Sequence, residues 1–324
     1  MHDVAACPGP RTGGGYGEMF QRRRKEKEGW RWFRNFRVHT LGATEGASFT
    51  MAHVLLLTDL SDNALNAALY AVRLFGGAGH TFTTVHSYAP ASGDDGGVPH
   101  AEDILTPVAM AESAAFVERL KAALPGRKLP LNSISGPAGI VGIIQGLRSG
   151  EPAPDLVVMG TQGVSGLRAT LLGSHTAEVI RKTGLPVLAV PEQARYRIPK
   201  RIVLADDGGP VDKPMLKVLL DIARWSRSEV MIVGTTDQET TSEIGSTAST
   251  YDLLLGGIPH THQYLSGDDL HGGLNDLADQ SDADLLALPH RPRGLFQPLF
   301  QSSPGTRSVM HTHLPMLVLR PPNG

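Results

Sequence analysis

At 324 residues, 41% hydrophobic and 19% charged, with a formal net charge of −2, the chain has room for two ordinary domains of soluble globular composition. It holds nothing close to the roughly eighteen uninterrupted apolar residues of a transmembrane helix, no apolar signal core near its start, and a single cysteine, Cys7, which excludes an intrachain disulfide and a multi-cysteine metal site. A cytoplasmic protein without a membrane role is predicted.

Charge is unevenly spread. Residues 1–50 carry nine Lys/Arg against five Asp/Glu, a net of +4, which leaves −6 for residues 51–324. An acidic body argues against nucleic acid as a partner. Within the first 50 residues, Pro8 to Gly17 is rich in Gly and Pro, Arg22 to Glu28 is a charge run, and Trp30 to Arg37 mixes aromatics with arginines. This stretch reads as a disordered tail, or as sequence upstream of a true start at Met51.

From there strand and helix patterns alternate. His53 to Thr58 is an apolar strand ending in Asp59, and Ser61 is placed to cap a helix carrying Ala64, Leu65, Ala68, Leu69, Val72 and Leu74. His80 to His86 reads as a second strand, Asp103 to Leu124 as a long helix, Leu129 to Ser135 as a weak third strand and Pro137 to Ser149 as a helix. Asp155 to Met159 is a fourth, buried strand, His175 to Thr183 a helix stopped by Gly184, and Leu185 to Val190 a fifth strand. Five strands alternating with four helices predict an α/β domain, an open parallel sheet wrapped on both faces.

The most informative stretch lies between the fourth and fifth strands. Gly160-Thr161-Gln162-Gly163 follows the strand at once, nine residues intervene, and Gly173-Ser174 stands where the next helix begins. Glycines let backbone amides approach an anion, and a helix start adds unpaired amides and the positive end of its dipole. The Ser174 and Thr176 hydroxyls can add donors to phosphate oxygens. The loop has no Gly-Lys-Ser/Thr and so is not a P-loop.

The spacing Gly-x2-Gly-x9-Gly-Ser, with Thr-Ala-Glu-Val-Ile-Arg-Lys at 176–182 and Pro-Val-Leu-Ala-Val-Pro at 186–191, resembles the nucleotide loop of the universal stress protein family in its ATP-binding branch. The resemblance implies a flavodoxin-like, adenine nucleotide alpha hydrolase-like fold. It also implies ATP, or ADP or AMP, as ligand, together with Mg2+. On the matching positions it places Thr58 and Asp59 beside the adenosine, Val85 as the adenine contact, and Met159 ahead of the phosphate residues Gly160, Thr161, Gln162, Gly163, Gly173, Ser174, His175 and Thr176.

After a polar linker at 193–199 the pattern restarts. Arg201 to Asp206 parallels Val54 to Asp59, Leu216 to Trp225 the first helix, Glu229 to Gly234 the second strand, Asp284 to Leu288 the fourth, and Leu314 to Leu319 the fifth, with residues 237–282 the least legible. This predicts two tandem domains with five-stranded sheets, 51–192 competent for nucleotide and 199–321 degenerate. In the second, Pro289-His290-Arg291-Pro292 replaces the loop glycines, and proline supplies no N–H. The last strands of both halves are apolar edges that need covering. Such edges in the family pair between domains or subunits, which implies an intrachain pseudo-dimer, or a homodimer.

Among other constellations, His260/His262 and His311/His313 are i, i+2 pairs that a strand would place on one side, as zinc or nickel needs. With no cysteine and no His-Glu-x-x-His beside them, no metal is assigned and exposed or capping histidines are expected. No Gly-x-Ser-x-Gly stands at a strand end, and no motif places a lysine on terminal phosphates, so no catalytic residue is assigned. The reading is a stress-response nucleotide sensor or adaptor with an unidentified protein partner. A slow ATPase or self-phosphorylating enzyme and a nucleotide-independent interaction module are the alternatives.

Overall fold

The computed structural model describes residues 53–76, 79–88, 101–161, 174–235, 249–265, 270–291, 296 and 313–321. Phe49–Gly324 forms one compact unit, and the expectation for residues 1–50 lies outside the described residues. In chain order the strands are β1 (His53–Thr58), β2 (Thr81–Ser87), β3 (Leu131–Gly136), β4 (Leu156–Gly160) and β5 (Val187–Val190), followed by β6 (Arg201–Ala205), β7 (Glu229–Thr235), β8 (His260–Leu265), β9 (Leu285–Pro289) and β10 (Met316–Leu319). The helices are α1 (Asp62–Phe75), α2 (Ala101–Ala122), α3 (Ile140–Arg148), α4 (Ser174–Thr183), α5 (Lys213–Ser226), α6 (described over 249–255) and α7 (Leu270–Gln280).

Local chemistry sets these boundaries. All six residues of β1 are buried, as an apolar central strand requires. Ser61 caps α1, its hydroxyl accepting from the Ala64 amide at 3.1 Å. Asp212 does the same for α5 through the Met215 amide at 2.9 Å, with Pro214 in the first turn, where its missing N–H is harmless. Gly184 ends α4 at φ +66, a left-handed turn that glycine adopts without strain.

The ten strands form one sheet in the order β3-β2-β1-β4-β5-β10-β9-β6-β7-β8. Every pairing is parallel except the central one, where β5 and β10 run antiparallel. On either side of that junction the strand order is the same, read outward in opposite directions. Leu188 pairs with Leu317 at its centre, flanked by Ala189–Met316 and Val187–Val318. The two five-stranded parallel sheets are therefore hydrogen-bonded into one. Both faces are covered by helices, and each of the two apolar clusters, one per face, runs through both halves. Leu56, Leu188, Leu204 and Leu317 belong to one cluster, and Leu57, Val187, Ala205 and Val318 to the other.

Individual hydrogen bonds recur across the halves. Asp155 accepts from the His53 amide at 3.0 Å, and Asp284 from the Arg201 amide at 3.0 Å. The Thr161 amide donates to Val190 at 3.1 Å, and the His290 amide to Leu319 at 2.9 Å. Strand register refines the expected alignment by one residue. Val54 faces Leu156 as Ile202 faces Leu285, so Thr58 corresponds to Asp206, and Asp59 to Asp207 rather than Asp206. Residues 237–282, the least legible in sequence, supply α6, β8 and α7.

Candidate functional site

In open α/β sheets the crevice for a ligand lies beyond the carboxyl ends of strands where the order reverses. In the first half that point is between β1 and β4, and Thr58, Asp59, Gly160 and Thr161 stand at it. The chain leaves β1 through a tight turn. Leu60 takes φ +68, a left-handed conformation that strains a residue with a Cβ. Its amide donates to the Thr58 hydroxyl at 2.8 Å, and its carbonyl accepts from Arg119 at 3.3 Å. Asp59 is exposed, its carboxylate accepting from the Ser61 amide at 3.1 Å and hydroxyl at 2.5 Å. The turn holds the carboxylate at the rim, open to solvent.

Opposite, Gly160 closes β4 against α1. A Cβ there would fall 2.7 Å from the Asn63 side-chain amide, so glycine is also what lets strand and helix approach. Thr176, buried in the first turn of α4, donates its hydroxyl to the Gly160 carbonyl at 3.3 Å. The structure thus uses that hydroxyl to fasten α4 to the strand end, where the sequence suggested a phosphate donor. Ser174 and His175 are exposed at the start of α4. Gln162, Gly163 and Gly173 lie outside the described residues.

Met159 and Val85 are core residues. Val85 has no exposed surface, pairs with Leu57 and Ile134, and lies two residues before the end of β2. Its side chain belongs to the apolar cluster beneath the rim, and the strand end is formed by His86 and Ser87. His86 was not singled out from the sequence. Its Nδ1–H donates to the Thr58 carbonyl at 3.1 Å, and its position one residue past a buried valine on an alternating strand was the available signal. Asn63 was likewise missed, because nothing in a helix pattern marks a residue that meets the next strand.

The equivalent crevice of the second half is built on the same turn and filled from within. Gly208 takes φ +72 where Leu60 stands, its amide donates to Asp206 at 3.1 Å, and the Gly209 amide to Asp207 at 3.3 Å. Arg291, just past β9, forms an ion pair with Asp207, whose side chain is 1% exposed, and donates to the Pro210 carbonyl at 2.6 Å. A Cβ on Gly209 would lie 2.8 Å from that guanidinium. Beside it, Arg320 donates to His290 Nδ1. Burial and the Arg320 charge push the His290 imidazole down to about 4. Two of this half's own cations occupy the rim where the first half leaves Asp59 exposed. The sequence expected no site in this half because proline replaces the loop glycines; the structure puts a side chain in the same gap.

Residues 51–191 match the Universal stress protein family. A universal stress protein from Archaeoglobus fulgidus DSM 4304 shares the fold at 16% identity, covering 84% of this chain and 99% of its own with TM-score 0.63. A Pseudomonas aeruginosa UCBPP-PA14 protein described under the same family name aligns over 85% of this chain and 95% of its own, at 14% identity and TM-score 0.50. A universal stress protein solved in complex with cAMP is 27% identical over 43% of this chain and 96% of its own, with TM-score 0.34. No curated protein matches the chain in sequence. Among the described residues no helix is long and apolar enough to cross a membrane.

Proposed function

We propose that the first half binds an adenine nucleotide, ATP or its di- or monophosphate with Mg2+, at the crevice between β1 and β4, and that the protein acts as a stress-response sensor or adaptor. The observation that carries this reading is where the Gly-x2-Gly-x9-Gly-Ser spacing falls. It begins on Gly160, the last residue of β4, and ends on Ser174, the first of α4, at the switch point of the sheet. The residues present fit the ligand. Asp59 offers an exposed acceptor for sugar hydroxyls, and the α4 start offers unpaired amides for phosphate.

The chain is read as two tandem domains, 51–192 and 199–321, forming a pseudo-dimer through β5 and β10, the second without nucleotide because Arg291 fills its crevice. Fixed dipoles at a helix start hold an anion without demanding turnover. Binding that changes the surface offered to a protein partner is the favoured mode.

Calorimetry of the full chain with ATP and Mg2+ tests this. One site per chain is expected, lost in Gly163→Val and weakened at least tenfold in Asp59→Ala. Two equivalent sites, or none, overturn the assignment. Steady-state hydrolysis above about 1 s⁻¹, the low end of ordinary enzyme turnover, replaces the sensor with an ATPase.

A further inference from the structure

Away from the nucleotide crevice, at the outer edge of the second half, three side chains converge. Asp252 on α6 and His260 and His262 on β8 bring one ligand atom each within 4.8 Å of one another. The two imidazoles share a side of β8 because alternate strand residues do. His260 Nε2 lies 2.9 Å and His262 Nε2 3.0 Å from the same Asp252 carboxylate oxygen.

The tautomer of His260 sharpens the chemistry. Its Nδ1 lies 2.8 Å from the Ile258 carbonyl, which can only accept, so Nδ1 carries the proton. In the neutral ring Nε2 then presents a lone pair to a carboxylate that also has only lone pairs. Either a second ring proton or a metal cation then holds the two together. A backbone carbonyl on Nδ1 with Nε2 turned inward is the arrangement that orients histidine ligands in metal centres.

The frame is stiff. β8 is hydrogen-bonded in register to β7, with Val230 opposite His260 and Ile232 opposite His262. Next to Asp252, Tyr251 is 2% exposed and its hydroxyl donates to Asp206 at 3.2 Å, while Leu255 is fully buried one turn on. The histidine side chains are about one-fifth exposed, and that of Asp252 is 58% exposed, which leaves coordination positions open to water.

We propose that Asp252, His260 and His262 form a binding site for a first-row divalent cation of the zinc type, with water completing its coordination. Zinc bonds of about 2.0–2.1 Å in a tetrahedron put ligand atoms about 3.3 Å apart, so the two His–Asp spacings need to open by only a few tenths of an ångström, and the imidazole nitrogens lie within 4.8 Å of each other. Two imidazoles and one carboxylate suit Zn2+, Co2+ or Ni2+, and not Mg2+ or Ca2+, which take oxygen. The bound ion would staple β8, an edge of the ten-stranded sheet, to α6. The proposal stands apart from nucleotide binding, since it uses none of the crevice residues.

The full chain, stripped with chelator, is titrated with ZnCl2 by calorimetry and with CoCl2 by visible absorption. Expected is a site of micromolar or tighter affinity, tetrahedral cobalt bands without thiolate character, and at least tenfold weaker binding in both His262→Gln and Asp252→Ala. A zinc-dependent rise in melting temperature should be lost in the same variants. Zinc-edge anomalous diffraction of the unmodified protein locates the ion independently of how the variants fold, and a peak joining the three side chains supports the site. Affinity weaker than millimolar, a peak elsewhere, or binding unchanged in both variants overturns it, and the cluster is then held by protons alone.

Discussion

At the scale of single residues, the second-half rim is where the physical chemistry is most exposed to test. Arg291 and Asp207 are both largely removed from water, and removing one partner of such a pair leaves an uncompensated charge. Arg291→Met should lower stability by about 3–5 kcal/mol in urea unfolding. Adding Asp207→Asn to that variant should recover a large part of the loss; no recovery would mean the arginine acts only by packing. His290 gives a pH signature. Its folded pKa, about 4, lies below the ordinary 6.5, so between those values the unfolded chain binds the extra proton. The stability it contributes is complete above about 6.5 and is lost as pH falls toward 4. His290→Gln should flatten that part of the stability–pH curve, and an unchanged slope would reassign the effect.

At the scale of elements, the β5–β10 pairing carries the greatest consequence per residue. Leu188 and Leu317 face each other and are both fully buried. Truncation of either to alanine should cost about 2–5 kcal/mol, the range for buried leucine. Because each is the other's equivalent about the junction, the two losses should agree within error, and a large asymmetry would show that the halves pack differently. Most of this level was legible beforehand. Apolar runs such as Val54–Leu57 and Leu285–Leu288 declare strands by burial alone, and Ser61 and Gly184 declare helix ends by chemistry local to the chain. What was not legible depended on distance. No sequence pattern says that Arg291 reaches Asp207, that Thr176 fastens Gly160, or that Asp252 meets two histidines eight and ten residues on, since each contact is decided by packing between elements. The one-residue slip between Asp206 and Asp207 has the same origin, because register is set by the neighbouring strand.

At the scale of the molecule, both apolar clusters run through both halves, so the described body should unfold as a single cooperative transition. Cutting the chain after residue 192 exposes β5, four buried residues with an unpaired edge. The fragment 51–192 should therefore dimerise through β5, read by sedimentation as twice the monomer mass, and Leu188→Lys should return it to monomer. A fragment that stays monomeric without that change would show that β5 needs no partner.

The reversal of strand direction at β5–β10 also determines what the two crevices can sense of each other. It places the carboxyl ends of the first-half strands on one rim of the sheet and those of the second half on the opposite rim. Four strand spacings separate the β1–β4 and β6–β9 gaps in the sheet order, about 19 Å along the hydrogen-bonding direction at about 4.8 Å each. Mobile ions screen exposed charges within about 8 Å at physiological salt. The charge of a nucleotide bound as proposed at one rim would thus be largely screened, across solvent, from the other. A message between them would instead pass through the sheet, across the strands joined at Leu188 and Leu317.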